Sequence, residues 1–177
     1  MLQIDQFMST KPEKARAEKL ALQKVPSSPV AWRAWFDGSA HPNPGRIGIG
    51  ALLQGPQGER IEISRRAGHG NSGDAEYLAL IALLEMAVEM RLPELLVFGD
   101  SQVVVHDVLL AQGSGAKGLE AHREKVGALM AQLSQVNVRW VPRHRNGEAD
   151  RLSQQAIENR EELVAGTMCQ PPGMQHL

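Results

Sequence analysis

Five short apolar runs, separated by turn residues and helical stretches, give the predicted secondary structure of this chain. The first three, at 31–36, 47–54 and 59–67, are divided only by short segments rich in Gly and Pro. Strands joined by such turns pair with their neighbours as an antiparallel meander. A fourth run at 95–98 follows a helical stretch and can therefore pair in parallel with an earlier strand. The fifth run lies at 136–141.

Helical spacing of apolar residues predicts the remaining elements. Residues 75–90 carry apolar side chains three or four positions apart, and Pro93 lies just beyond their end. Three further helices are predicted at 102–112, 119–134 and 148–164, with a glycine-rich break between the first two. The predicted order, β-β-β-α-β-α-α-β-α, describes an α/β fold in which a mixed five-stranded sheet carries helices on its faces.

The chain is long enough to form one good hydrophobic core. It has 177 residues, 42% of them hydrophobic, and both ends are more polar than the middle. We therefore expect one domain at 31–164. An extension at 1–30, comprising a helix near 11–24 and a linker, precedes it, and a disordered tail at 165–177 follows it.

Charge and cysteine content narrow the function classes. The net charge of −1 provides no global attraction for nucleic acid, so such binding requires local patches or metal ions. The only cysteine, Cys169, excludes a disulfide framework and a cysteine zinc site, so a reducing cytoplasm is the expected location. No apolar stretch approaches the roughly 20 residues of a membrane span, and the N-terminal residues show no signal-peptide pattern.

Four carboxylates are candidate metal ligands. Asp37 and Asp100 follow the first and fourth apolar runs, where the two aspartates of a sheet can point from the same edge. Glu76 and Asp150 lie in predicted helices that can pack against that edge. Four hard oxygen donors favour Mg²⁺ or Mn²⁺ over zinc. Taken singly, each acid also has a structural interpretation, as a turn residue, a helix N-terminal acid or a solvated helix acid.

Four segments around these acids resemble those of the type 1 ribonuclease H family. They are DGSAHPNPG at 37–45, AEYLAL at 75–80, GDSQ at 99–102 and WVPRHRNGEADRL at 140–152. They occur in the family's order, and the resemblance covers about residues 32–160. It implies a ribonuclease H-like fold and an endonuclease that hydrolyses the RNA strand of RNA–DNA hybrids, leaving 5′-phosphate and 3′-hydroxyl ends.

The resemblance also implies the roles of the acids in a reaction that uses two Mg²⁺ or Mn²⁺ ions. Asp37 would bridge the two ions, and Asp150 would serve the ion that holds the attacking water. Glu76 and Asp100 would serve the ion on the leaving-group side. Because four close carboxylates repel one another, we expect the metal-free site to be partly protonated or strained.

The resemblance maps substrate contacts onto Asn43 and Gln102. Recognition of RNA requires contact with 2′-hydroxyl groups in the wide minor groove. The loop before Glu76 departs from the paired asparagines usual in the family, and Asn71 or Ser72 would replace them. Ser101 can either reach a phosphate or cap the following helix.

Two further departures place this chain near the archaeal and plant-like branch of the family. Trp140 stands where many bacterial members carry a mobile histidine, which leaves Arg143 or His144 of the same loop to assist product release or proton transfer. We expect Trp140 to pack at the strand end and Asn146 to brace this loop or the last helix, with a possible substrate contact.

Only 49 residues separate Asp100 from Asp150, too few for the basic helix and loop that many bacterial members insert there. The expected partner is an RNA–DNA hybrid bound by a monomer. The extension at 1–30 is either a packing helix or a small basic arm. Two alternatives stay open for the whole domain: a catalytically weak nucleic-acid-binding module, or another metal-dependent nuclease of the same fold.

Overall fold

A computed structural model describes residue 29 and residues 31–109 and 117–158. The elements run in the predicted order, so the expected α/β fold is confirmed for this part of the chain. They are β1 (Trp32–His41), β2 (Gly45–Gln54), β3 (Arg60–Gly70), α1 (Ser72–Glu89), β4 (Leu95–Gly99), α2 (Gln102–Leu109), α3 (Glu120–Met130), β5 (Val136–Trp140), a 3₁₀ turn (Arg143–Arg145) and α4 (Gly147–Glu158).

The sheet is mixed, with the strand order β3-β2-β1-β4-β5. The first three strands form the expected antiparallel meander. After α1 the chain returns as β4, parallel to β1, and β5 adds parallel to β4. The middle of β1, the end of β4 and the start of α1 are thereby brought together where the parallel pairing of β1 with β4 stops.

The first strand is longer than its apolar run predicts. Asp37 does not end β1, because β1 continues to His41 and Asp37 pairs with Gly50 of β2. The sequence pattern failed here since polar and small residues at 37–41 resemble a turn, yet pairing with β2 holds them extended. On its other side, β1 pairs with β4 only as far as Trp35, so Asp37 lies just beyond the parallel part of the sheet.

Alternating residues of β1 face two different layers. Phe36 is fully buried in the core between the sheet and α1, and each such apolar side chain contributes about 1.5–3 kcal/mol. Asp37 points to the opposite face, toward α4. Because successive side chains of a strand alternate between faces, one strand supplies both the core and a functional acid.

A buried polar network ties the three helices of the core face together. The Tyr77 hydroxyl of α1 donates a hydrogen bond to Asp107 of α2, and the same carboxylate accepts from Arg123 of α3 at 2.9 Å. Since Tyr77 and Asp107 are both buried, these bonds satisfy groups that burial would otherwise penalise. They also fix the helix that carries Glu76.

Helix boundaries differ from the sequence expectation at several ends. Helix α1 begins at Ser72, before its apolar stretch, because Asn71 and Asp74 form a capping box. Helix α3 ends at Met130, short of the predicted 134. The predicted helix near 11–24, the residues 110–112 and the tail at 165–177 lie outside the described residues. Among the helices described, none is long and apolar enough to cross a membrane.

Candidate active site

Three of the four candidate acids converge just beyond the parallel pairing of β1 with β4. Asp37, Glu76 and Asp100 each offer an oxygen atom, and these atoms lie within 4.8 Å of one another. They come from β1, from the first turns of α1 and from the residue after β4. Within the described part of the chain this is a group of acids that could hold a metal ion.

A close approach of α1 to β1 brings Glu76 into this group. A Cβ atom on Gly38 would lie 2.0 Å from the carbonyl carbon of Ala75, so only glycine lets the two backbones meet here. The Gly38 backbone N–H also donates a hydrogen bond to the Glu76 carboxylate. The residue after Asp37 therefore sets the position of the second acid.

Asp100 is held by the end of β5 and by the loop between β5 and α4. The Trp140 indole donates a hydrogen bond to the Asp100 carbonyl at 3.0 Å. The Asn146 side-chain amide donates to the Asp100 carboxylate at 3.1 Å and to the Phe36 carbonyl at 2.9 Å. Trp140 thus packs at the strand end, as expected for it.

Asn146 is a buried residue that supports the site through two hydrogen bonds and does not face solvent. Its side chain is 1% exposed, and its amide links the strand that carries Asp37 to the carboxylate of Asp100. Burial of this extent does not fit the substrate contact considered for it, whereas the bracing alternative fits both hydrogen bonds.

Asp150 stands beside the three-acid group and not within it. In the first turn of α4, its two carboxylate oxygens accept hydrogen bonds from Arg143 and from Gln154, each at 3.0 Å. Asp150 is still close enough to raise the pKa of Asp37 by charge repulsion. The structure therefore brings together three of the expected metal ligands and pairs the fourth, Asp150, with the guanidinium of Arg143.

Burial and mutual repulsion raise the proton affinity of the site. Burial, with repulsion from Asp100 and Asp150, raises the pKa of Asp37 to about 6, although a hydrogen bond from Ser153 opposes the change. Burial and repulsion from Asp37 and Asp100 raise the pKa of Glu76 well above its usual value. Both directions agree with the expectation that a metal-free site is partly protonated.

The donor set fits a hard divalent cation. The Glu76 Oε2 atom is buried and has no hydrogen-bond partner within the described structure, which is costly for a carboxylate unless a cation or proton faces it. The converging atoms are all carboxylate oxygens, the ligands that Mg²⁺ and Mn²⁺ prefer.

Candidate substrate contacts gather where the β1–β2 turn meets the start of α1. The Asn43 side chain accepts a hydrogen bond from the Ser72 backbone N–H at 3.1 Å and donates one to the Ser72 hydroxyl at 3.3 Å. Asn71 caps α1 through its side-chain oxygen. All three residues are exposed, so they form one polar rim beside Glu76.

Two more candidates begin α2, next to Asp100. The Ser101 hydroxyl accepts a hydrogen bond from the Val104 backbone N–H at 3.4 Å, which confirms the capping alternative. Gln102 is exposed in the first turn of α2. It lies two positions after Asp100 in the chain.

The two basic candidates of the last loop point to different places. Arg143 contacts Asp150 and lines a cavity of about 390 Å³ with Ser39 and His41. His144 is exposed and lines a separate depression with Trp35. The geometry therefore favours Arg143 as the residue that acts with the acids.

Ser153 is the site residue that the sequence analysis missed. It is completely buried on α4, and its hydroxyl donates a hydrogen bond to the Asp37 carboxylate. The available signal is its position three residues after Asp150, on the helix face that carries Ala149 and Ala156 toward the sheet. A serine hydroxyl on an otherwise apolar buried face requires a hydrogen-bond partner, and a neighbouring carboxylate can accept that bond.

The geometry agrees with comparisons to known proteins. Residues 35–156 match the family model described as reverse transcriptase-like. The crystal structure of ribonuclease H1 from Halobacterium salinarum superposes with a TM-score of 0.67 at 30% identity, covering 72% of this chain and 98% of that one. The chain belongs to the type 1 ribonuclease H family, and the expected resemblance and fold are confirmed.

A comparison with curated sequences and a second solved structure match the same part of the chain. Ribonuclease HI of Halobacterium salinarum is 32% identical over 127 residues, which are 71% of this chain and 64% of that protein. LC11-RNase H1 in complex with an RNA/DNA hybrid is 26% identical with a TM-score of 0.65, covering 72% of this chain and 96% of that one. The chain spans between 34% and 64% of the length of the curated relatives it matches.

Proposed function

We propose that this protein is an endonuclease that hydrolyses the RNA strand of RNA–DNA hybrids with two divalent metal ions, leaving 5′-phosphate and 3′-hydroxyl ends. The observation that carries the proposal is the convergence of Asp37, Glu76 and Asp100, whose ligand atoms lie within 4.8 Å of one another. A binding surface gains nothing from neighbouring acids whose burial and charge repulsion raise the pKa values of Asp37 and Glu76.

The ions would be Mg²⁺ or Mn²⁺, held by Asp37, Glu76, Asp100 and Asp150. When bound, two such ions lower the pKa of a water molecule and neutralise charge on the attacking and leaving oxygens. The residues' own contribution is to hold four carboxylates at fixed positions. Asp150 would join the group by turning from Arg143, since it already lies close enough to Asp37 to raise the pKa of that residue.

Arg143 would stabilise charge on the substrate. Its side chain is 78% exposed and only one end of it is held, by Asp150 at 3.0 Å. The hydrogen bond to Asp150 raises its pKa further, so the guanidinium stays charged and does not transfer a proton at neutral pH. It can instead contact a phosphate and assist product release, while His144, within the described residues, lines a separate depression with Trp35.

Substrate recognition would use the polar rim beside Glu76. Asn43, Asn71 and Ser72 at the start of α1, with Ser101 and Gln102 directly after Asp100, would donate to sugar and phosphate oxygens. The hybrid bound in the LC11-RNase H1 structure supports the same class of partner for this chain.

Organisation and location stay predictions. We propose a catalytic domain at 31–164 with an extension at 1–30 and a tail at 165–177. We also propose a monomer acting in the cytoplasm. Gel filtration with light scattering tests the oligomeric state directly.

Cleavage of end-labelled substrates tests the proposal. The full chain is incubated in Mg²⁺ and in Mn²⁺ with RNA–DNA hybrid, double-stranded RNA, duplex DNA and single-stranded RNA of one sequence. We expect cleavage of the hybrid alone, with 3′-hydroxyl ends on the upstream fragments. Binding without cleavage by folded protein favours the binding-module alternative, and a preference for branched or duplex DNA favours another nuclease of this fold.

A further inference from the structure

The Ser153 hydroxyl lies between the carboxylate of Asp37 on β1 and the backbone of Asp150 on α4. It donates to Asp37 Oδ2 and lies 2.9 Å from the carbonyl oxygen of Asp150. A hydroxyl carries one proton. Because a carboxylate is the stronger acceptor, that proton belongs to Asp37 whenever Asp37 is ionised.

Two glycines of β2 explain why α4 can place a serine there. A Cβ atom on Gly48 would lie 2.2 Å from the Ser153 carbonyl oxygen, and one on Gly50 would lie 2.4 Å from the Ser153 nitrogen. The helix backbone therefore rests directly on β2 at Ser153. Gly50 is also the register partner of Asp37, so the serine and the aspartate meet across a position that has no side chain.

The contact between Ser153 and Asp37 is buried in the protein interior. Ser153 is 0% exposed and Asp37 is 6% exposed, so water does not replace either partner. A shorter side chain at 153 would leave a buried carboxylate oxygen without its donor. Partners that orient metal-ligating carboxylates commonly affect metal affinity by 10–100-fold.

We propose that Ser153 is a positioning residue, which fixes the Asp37 carboxylate against α4 and so sets the distance between Asp37 and Asp150 for metal binding. This inference rests on the proposed function, because it assigns a role in the metal site described above. Ser153 is fully buried, so its effect passes through Asp37.

Metal binding without substrate provides the test. The midpoint of the Mg²⁺-dependent rise in thermal stability, checked by titration calorimetry, is measured for the wild-type chain and for Ser153→Ala. We expect the Mg²⁺ midpoint of Ser153→Ala to rise about tenfold or more. Ser153→Cys, which has nearly the same shape and a weak donor, should lie between the two.

Ser64→Ala is the matched control. The Ser64 hydroxyl donates to the Leu152 carbonyl of α4 at 2.7 Å, a backbone group and not one of the candidate ligands. This variant should lower the melting temperature and leave the Mg²⁺ midpoint unchanged. A purely structural serine at 153 would behave in the same way as Ser64.

The two proposals fail differently. Wild-type protein that binds Mg²⁺ and cleaves hybrid, together with an unchanged Mg²⁺ midpoint in Ser153→Ala, overturns the positioning role alone. Wild-type protein that gains no stability from Mg²⁺ overturns both the metal site and the role of Ser153.

Discussion

The metal-free protein should lose stability as the pH rises through the range in which Asp37 ionises. Burial and neighbouring acids raise the pKa of Asp37 from 3.8 to about 6 in the folded state. The folded protein therefore holds this proton more tightly than the unfolded chain does. The resulting stabilisation is complete below about pH 3.8 and is lost as the pH rises through about 6.

The size of the loss follows from the two pKa values. The difference between 3.8 and about 6, at about 1.4 kcal/mol per pH unit, gives about 3 kcal/mol for Asp37 alone. Glu76 adds a loss of the same sign, since its pKa is also raised. Surface acids such as Glu148, whose pKa is lowered by Arg60, change stability in the opposite direction.

Urea unfolding in EDTA at about pH 4 and about pH 8 measures this effect. Asp37→Asn is the matched variant, because asparagine can still accept a hydrogen bond from Ser153 and does not ionise. Relative to wild type, the variant should gain about 2–3 kcal/mol between the two pH values. Mg²⁺ should remove most of that gain by stabilising the wild-type protein. Parallel pH profiles for the two proteins would refute the claim that Asp37 is a destabilised acid.

Three further substitutions probe the geometry of the site. Asn146→Ala removes the donor to the buried Phe36 carbonyl. It should lower the free energy of unfolding, measured by urea unfolding, by about 1–3 kcal/mol. Gly38→Ala places a Cβ 2.0 Å from the Ala75 carbonyl carbon and should reduce both the melting temperature and Mg²⁺ binding, so full Mg²⁺ affinity would contradict the close-approach argument. Arg143→Ala, at a mostly exposed side chain, should leave the melting temperature unchanged and lower kcat about 10²-fold in a hybrid-cleavage assay; an unaltered kcat would remove Arg143 from the mechanism.

Periodicity predicted the order of elements because most strands and helices of this fold bury apolar side chains. The strand pattern around 95–98 and the helical spacing at 75–90 correspond to β4 and α1. The pattern failed at the second half of β1, where residues from Asp37 to His41 are polar or small. Pairing with β2 is a tertiary effect, and composition within the segment carries no trace of it.

The acids of the site could be predicted from the sequence, but the residues that position them were harder to predict. Asp37, Glu76 and Asp100 could be named because their flanking motifs are distinctive. The role of Ser153 depends on which residues α4 touches, and that depends on Gly48 and Gly50 of a distant strand. Contacts between residues more than a hundred positions apart cannot be read from local spacing.

The position of Asp150 also required the structure. Sequence spacing places it on the inner face of a helix, yet the neighbouring Arg143 engages its carboxylate. An ion pair of this kind depends on the 3₁₀ turn between β5 and α4. The pairing suggests that Arg143 and a bound cation compete for the same carboxylate.

Cleavage of an RNA–DNA hybrid by Asp100→Asn, compared with wild type at matched Mg²⁺ concentrations, tests the central claim most directly. Asparagine retains an oxygen that can accept the hydrogen bond from Asn146, so the variant should fold and bind the hybrid. We predict Mg²⁺-dependent cleavage by the wild-type protein and a loss of at least about 10³-fold in the variant, since several kcal/mol of charge stabilisation depend on the metal. Equal cleavage by both proteins, or cleavage by wild type in EDTA, would contradict the account.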